Sequence, residues 1–481
     1  MIKDKSFFVL IGITLLGVLF RYTFLGRPMG HDEAYTYMAF ASRGMKTAIT
    51  NYHLPNNHVL HTILVVISTQ LFGNSPEAIR LPAFVAGIML IPAVYLIAVK
   101  LFDQLVALTS SAIVAALPVL IDYSTTARGY SLVALFTLML TLLFLYLLEN
   151  HNLIAWIAIV LVASLGLYTI PIMVYPTGML LTWYVIIELQ RKKVNSGRVL
   201  LFTVCIGSSI VLLAGFLYSP ILVHSGISSI IGNEVVESLS WDDFWQSLPV
   251  RVKNTWAEWN RGLPRWITYP EVVFLCLTFF YPGEKRFPRV SFWISGFIFI
   301  SGILIIQRVA PWPRVWLFLL PLFVIWVTGG LIHLSYFVAS MMQLEMKLPL
   351  ITSWLIVGLI LTGSSHRSFV QFTQKSDKKG ETEEVAIFLK DYLKPDDLVV
   401  VTSPDAVVLR YYLLIHGVSK DYTEREADKP FDRAIVVVNT AFGQSMESVL
   451  ERRSFLDELN PQNQEIIYRS SRFTLYPLQN P

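Results

Sequence analysis

"SFFVLIGITLLGVLFRYTFLGRPMGHDEAYTYMAF", residues 6–40, runs from an apolar stretch directly into His31, Asp32 and Glu33. A helix of about 20 apolar residues is what crossing roughly 30 Å of hydrocarbon requires. Residues 6–25 are therefore expected to span a membrane, with the two carboxylates at the point of exit. The short basic start before this run has no small-residue cleavage site and more apolar runs follow, so it reads as a first span.

The same pattern recurs along the first three quarters of the chain. Of 481 residues, 54% are hydrophobic and only 15% are charged, with a mean hydropathy of +0.55. That excludes an ordinary soluble protein of this size and implies a polytopic α-helical membrane protein. The net charge of +4 is spread among loops and gives no reason to expect a nucleic-acid partner. Cys205 and Cys276 fall inside apolar runs, where they act as small hydrophobes and imply no disulfide framework.

Basic residues in short loops mark the cytoplasmic side. "QRKKVNSGR" (190–198), "YPGEKRFPR" (281–289) and "EMK" (345–347) anchor the map. Spans are then expected near 6–25, 80–100, 105–121, 129–148, 153–169, 171–189, 199–219, 266–281, 290–306, 315–338 and 349–363. That makes about eleven, with the amino terminus inside and the carboxyl terminus outside. "HVLHTILVVISTQLFG" (58–73) would be only about 24 Å long as a helix. Were it to span, the basic "RKK" would fall outside, so it is expected to be juxtamembrane or re-entrant.

From about residue 376 the composition becomes that of a soluble domain. "KGETEEVAIFLKDYL" and "SPDAVVLRYYLLIHG" read as amphipathic helices, with Ser403 as a candidate cap. "LVVVT", "RAIVVVNT", "EIIYR" and "RFTLYPL" read as strands, and a charged helix is expected near 443–459. The expectation is a membrane domain over 1–365, with a first outer loop at 26–79, and a small extracytoplasmic α/β domain over 376–481.

Polar groups gather on one expected face. Besides Asp32 and Glu33, it collects His53, Asn56, Asn57, His58 and His61 from "NYHLPNNHVLHT" and Glu77 and Arg80 from "EAIRLP". "IDYSTTARGYS" adds Asp122, Arg128 and Tyr130, and "QRVAPWPR" adds Arg308 and Arg314. Guanidinium groups at a bilayer boundary suit a phosphate or diphosphate head group. A carboxylate opposite them can accept a proton from a hydroxyl or orient a divalent metal. A lipid-linked sugar between the two would present its anomeric carbon to both.

"HDEAYTY" after the first span, "LPNNHVLHTILVVISTQLFG" leading to "IRLPAFVAGIML", and "STTARGYSLVALF" resemble the GT-C membrane glycosyltransferases, nearest to glycosyltransferase family 39. That group includes protein O-mannosyltransferases and the aminoarabinose transferase acting on lipid A. Order and spacing agree over about residues 1–150. Beyond that, only the pattern of spans and an outer carboxyl-terminal domain is similar. The resemblance implies transfer of a sugar from a polyprenyl phosphate donor, with inversion, on the non-cytoplasmic side of a plasma membrane, bacterial by the compactness of the chain. The acceptor would be a protein, lipid or glycan.

The resemblance puts the general base on Asp32, with Glu33 beside it, and a donor-phosphate contact on Arg128. His58 falls where some relatives carry a basic residue near the phosphate. Asn57 falls where some carry a metal-binding acid, so a divalent metal is only a candidate cofactor. Arg308 and Arg314, flanking "VAPWP" in the last outer loop, are further candidates for the phosphate. Arg80, Asn57, Tyr130 and His61 are candidates for other substrate contacts. The oligosaccharyltransferase branch fits less well, because there is no "WWD" and Asp122 precedes the second-loop arginine.

Plainer readings compete. Arginines at helix ends snorkel to lipid head groups by default, which covers Arg80 and Arg128. Three histidines without a strong third ligand at fixed spacing make a weak zinc case. Trp241, Trp245, Trp256, Trp259 and Trp266 suit an interfacial belt as well as an acceptor groove. The alternative function is a transporter or flippase of lipid-linked saccharides. Such proteins place polar groups near the midplane on symmetry-related broken helices, whereas this chain carries most of its charges at one face and shows no repeat. A sensor on a membrane anchor would need far fewer spans.

Overall fold

The computed structural model describes residues 4–150, 152–191, 195–231, 237–280, 289–343, 347–377, 380–424, 431–451 and 465–479. Most of the loop expected at 281–289, the "EM" of 345–347 and the end of the helix expected at 443–459 lie outside the described residues.

Among the described residues seven helices are long and apolar enough to cross a membrane: Lys5–Leu25, Pro76–Leu101, Tyr130–Asn150, Pro171–Arg191, Ser196–Ser225, Pro313–Met341 and Leu348–Arg367. The protein is an integral membrane protein. Side chains such as Leu212, Phe216 and Val223 are exposed on the Ser196–Ser225 helix. Lipid tails are as apolar as they are, so this exposure costs nothing in a bilayer.

The run expected as one span at 105–121 is a pair of helices, Gln104–Ala116 and Pro118–Ser124, bent by 59°. Pro118 has no N–H to continue the ladder, which breaks the helix at Leu117. The break leaves the last carbonyls of the first helix without partners, a costly arrangement in hydrocarbon. Arg21, fully buried in the neighbouring span, donates to Ala115 O at 2.8 Å and Val114 O at 3.2 Å. Ser364 donates to Ala116 O from a third helix. A proline break, an intramembrane arginine and a serine thus form one structural unit.

Leu153–Thr169, Ser291–Gln307 and Val59–Phe72 are shorter apolar helices. The last has 14 residues, about 21 Å of helix, short of the hydrocarbon thickness. Instead of one span at 266–281, the described residues there form the short helices Arg265–Thr268 and Glu271–Leu277 and the 3₁₀ turn Thr278–Phe280.

The carboxyl-terminal part builds a four-stranded sheet from β1 (Asp397–Val400), β2 (Arg433–Asn439), β3 (Tyr468–Arg469) and β4 (Phe473–Gln479), in the order β1-β2-β4-β3. β1 and β2 are parallel, with Leu398 opposite Ala434, while β4 runs antiparallel to β2 and β3. β1 is buried along its length, as a parallel strand covered on both faces should be. Helices Glu381–Tyr392 and Asp405–Ile415 supply Leu389, Leu409, Tyr411 and Tyr412 to a core that also takes in Met29, Ala34, Tyr37 and Met38 from around the HDE stretch. The α/β domain is therefore packed directly on the segment that follows the first span.

Candidate functional site

The HDE stretch opens a nine-residue helix, His31–Ala39, with Gly30 at its start. Its first-turn carboxylates complement the positive end of the helix. Successive residues on a helix point about 100° apart, so adjacent acids face different surroundings. Glu33 points inward and is 2% exposed, whereas the Asp32 side chain is 47% exposed.

Glu33 is fully occupied. It accepts from the Gly30 N–H at 2.8 Å, the Ala127 N–H at 2.9 Å and Arg80 Nε at 3.0 Å, with a second contact to Arg80 Nη2. Burial alone would raise its pKa, but the Arg80 charge and these donors outweigh burial and hold it below the ordinary carboxylate range. Arg80 also donates to the carbonyls of Leu25 and Arg27, and to that of Pro28 at 3.1 Å. The pair expected as a catalytic partner and a substrate contact is instead a buried clamp joining the end of the first span, the HDE helix and the "TTARG" loop. No lone pair of Glu33 and no face of Arg80 is left for a ligand.

Asp32 faces two guanidinium groups. Its Oδ2 is 4.0 Å from Arg128 Nη1 and 3.9 Å from Arg314 Nη1. Arg128 is buried and oriented, donating to Asn56 Oδ1 at 2.9 Å and lying 5.8 Å from the Tyr130 ring centroid. Arg314 is 40% exposed and therefore open to an incoming anion. Thr36, one turn after Asp32, donates to Asp32 O at 2.9 Å and to Asn56 O at 3.2 Å, tying the HDE helix to the "PNN" turn.

His58 sits beside this group. Its Nδ1 accepts the Gly129 N–H at 2.8 Å, and its ring packs edge-on to Tyr130 at 5.2 Å. Burial, then the nearby Arg128, His61 and Arg314, push its pKa well below the ordinary value, so the ring is neutral with its hydrogen on Nε2. The approach also explains Gly129: a Cβ there would lie 2.7 Å from Thr169 Cγ2 and 3.2 Å from His58 Nδ1.

The other expected residues are placed differently. Asn57 is buried and donates its amide to Ala48 O and Asn51 O, closing the loop from within. His61 is fully buried, with both ring nitrogens lacking a protein partner. Neither reaches the exposed side of Asp32. Arg308, at φ 51°, lies 5.7 Å from the Trp241 ring centroid instead of beside Asp32. Among the described residues no three His, Cys, Asp or Glu side chains gather into a metal-ligand set.

Asp122 gathers three arginines from separate elements: Arg261 at 2.6 Å, Arg367 at 3.3 Å and Arg27 at 3.7 Å. Sequence order places Asn56 on this face without naming Arg128 as its partner, and singles out neither Arg261 nor Arg367. The only sequence-level signal for the arginines was charge at the end of a predicted span or aromatic-rich loop, which names no partner.

The fold is that of solved GT-C membrane glycosyltransferases. The sequence over residues 58–218, about a third of the chain, matches the family described as dolichyl-phosphate-mannose-protein mannosyltransferase, a region that takes in "HVLHT" and "TTARGYS" but not "HDE" or Asn57. The whole chain is similar in fold to ArnT from Cupriavidus metallidurans bound to undecaprenyl phosphate, with a TM-score of 0.63 at 13% identity over 97% of each chain. The apo state of that protein gives the same TM-score and identity over 99% of this chain and 98% of the other. The oligosaccharyltransferase of Archaeoglobus fulgidus tethered with an acceptor peptide is also similar, with a TM-score of 0.52 at 12% identity over 99% of this chain and 74% of that one. No curated protein matches by sequence.

Proposed function

We propose that the protein transfers a sugar from a polyprenyl phosphate donor to a hydroxyl of a protein, lipid or glycan acceptor, inverting the anomeric carbon, with Asp32 as general base. The observation that carries this is the exposed Asp32 carboxylate facing one buried and one open arginine. The acceptor oxygen attacks the anomeric carbon, its proton passes to Asp32, and the bond to the phosphate oxygen breaks. The negative charge left on the lipid phosphate is taken up by Arg314 and by the field of Arg128, so the leaving group needs no proton. Neutral His58 is able to donate only through Nε2, which suits a phosphate oxygen.

In the resting protein both arginines face Asp32. A phosphate arriving at the open Arg314 gives that cation a new partner and releases the carboxylate toward the acceptor. Glu33 and Arg80 act by positioning, because they hold the helix that carries Asp32. The reading favours the extracytoplasmic face for this site, since the basic loop at 190–198 belongs inside by charge.

The test is release of free undecaprenyl phosphate from labelled undecaprenyl phosphate sugars by the purified protein with envelope extracts as acceptor source. Time-dependent release with at least one donor supports the reading. Donor binding without any release overturns it in favour of transport.

A further inference from the structure

Next to the Asp32 group lies a cleft of about 450 Å³ lined by Tyr123, Asn254, Glu258, Trp312 and Arg314. Its volume is within the range of small-molecule sites, roughly 300–1,000 Å³. We propose that this cleft is the subsite for the transferred sugar of the donor, with Asn254 and Glu258 reading its hydroxyl or amino groups. This rests on the function proposed above.

Three observations carry it. Arg314 forms one wall and also meets Asp32 at 3.9 Å, so a ligand in the cleft touches the cation assigned to the phosphate and borders the base. With its phosphate held at Arg314, a sugar in the cleft comes within reach of Asp32 once the 3.9 Å contact between the two opens. Second, the lining joins aromatic surface to polar groups. The Trp312 indole is 48% exposed and is steadied by Arg251, whose guanidinium carbon lies 3.4 Å from its ring centroid. Tyr123 packs edge-on at 5.7 Å against Tyr130, the ring beside His58 and Arg128. Aromatic faces take the apolar C–H surface of a sugar, and an amide and a carboxylate take its hydroxyls.

Third, the polar pair is built for reach. Asn254 and Glu258 are four residues apart on the Trp241–Trp259 helix, hence on one face. Glu258 is anchored by Arg261 at 3.6 Å, which in turn pairs with Asp122 at 2.6 Å. The carboxylate is thereby linked, through Asp122 and its 3.7 Å contact with Arg27, to the segment that leads into the helix carrying Asp32. A helix otherwise readable as an interfacial tryptophan belt thus contributes a recognition edge.

The experiment measures equilibrium binding of undecaprenyl phosphate, bare and carrying hexoses or pentoses, neutral or amino-substituted, to the full-length protein in detergent. The quantity read is the gain in affinity that the sugar adds over the bare lipid phosphate. The wild type is expected to gain at least tenfold with one of these sugars. Asn254→Ala and Glu258→Gln should each reduce that gain by about tenfold, the value of one hydrogen bond to a well-placed group, without altering affinity for the bare lipid. Both side chains are outside the apolar core, so the variants are expected to fold; unchanged melting curves check this. A wild type with no sugar gain, or variants that keep it, overturns the subsite. Variants that alter acceptor selectivity while the donor gain persists also overturn it. Absence of lipid phosphate release would overturn the function itself, and is read separately from binding.

Discussion

The Met29 N–H donates to the Tyr412 hydroxyl at 2.9 Å, joining the α/β domain to the loop that presents Asp32. Tyr411 donates to Asn74 O at 2.9 Å and meets Tyr37 edge-on at 5.6 Å, so two consecutive tyrosines of one helix brace both ends of the first loop. His31 adds a third tie, donating from Nδ1 to Pro404 O at 2.7 Å. Tyr412→Phe removes one such bond and leaves the ring packing. Turnover should fall several-fold, in line with a loss of about 1 kcal/mol, with little change in donor affinity. Steady-state kinetics beside donor binding check this; loss of donor affinity with unchanged turnover would contradict the bracing role.

Glu33 and Asp32 should respond to the same substitution in different ways. Glu33→Gln leaves Arg80 buried without its charge partner, which costs on the order of 3–5 kcal/mol. The expected result is loss of monodisperse protein or a marked fall in melting temperature. Asp32→Asn, on an exposed side chain, should leave melting nearly unchanged. Thermal unfolding of the two purified variants distinguishes them, and equal melting of Glu33→Gln and wild type would remove the clamp from the account.

His58 gives a pH dependence whose sign follows from its depressed pKa. The folded protein holds the ring neutral, whereas in the unfolded chain it takes up a proton near the ordinary value of 6.5. Its contribution to stability is complete above that value and is lost progressively as pH falls below it. Melting temperature should therefore decline from pH 7 to pH 5, and His58→Asn should flatten that part of the slope. A variant with the wild-type slope would mean that other groups govern it.

How much of this was legible in sequence depends on the range of each interaction. Apolar length and period are local, so the seven long spans, the short Val59–Phe72 helix and the strands follow from them, whereas the breaks at Leu117–Pro118 and within 266–281 do not. Sequence order together with a family resemblance puts Asp32, Arg128 and Arg314 on one face, but not the exposure of the carboxylate or its pairing with these two arginines. Adjacency in sequence suggests Glu33 as a second catalytic acid, but the helix turns it inward, away from Asp32. Arg21 carries a signal in the sequence: a lone arginine inside an apolar run requires a buried partner, and the carbonyls freed at the Leu117–Pro118 break supply it. Asp122 with Arg261 and Arg367 joins elements far apart in the chain, and no periodicity predicts such pairings.

The central claim is that Asp32 takes the acceptor proton. Its most direct test compares wild type and Asp32→Asn for release of undecaprenyl phosphate from the donor that the wild type uses, with donor binding measured on the same preparations. The account predicts that binding stays within a few-fold of wild type while release falls by roughly 10²–10⁴, the contribution of a positioned general base. An Asp32→Asn protein that releases lipid phosphate at the wild-type rate would contradict it.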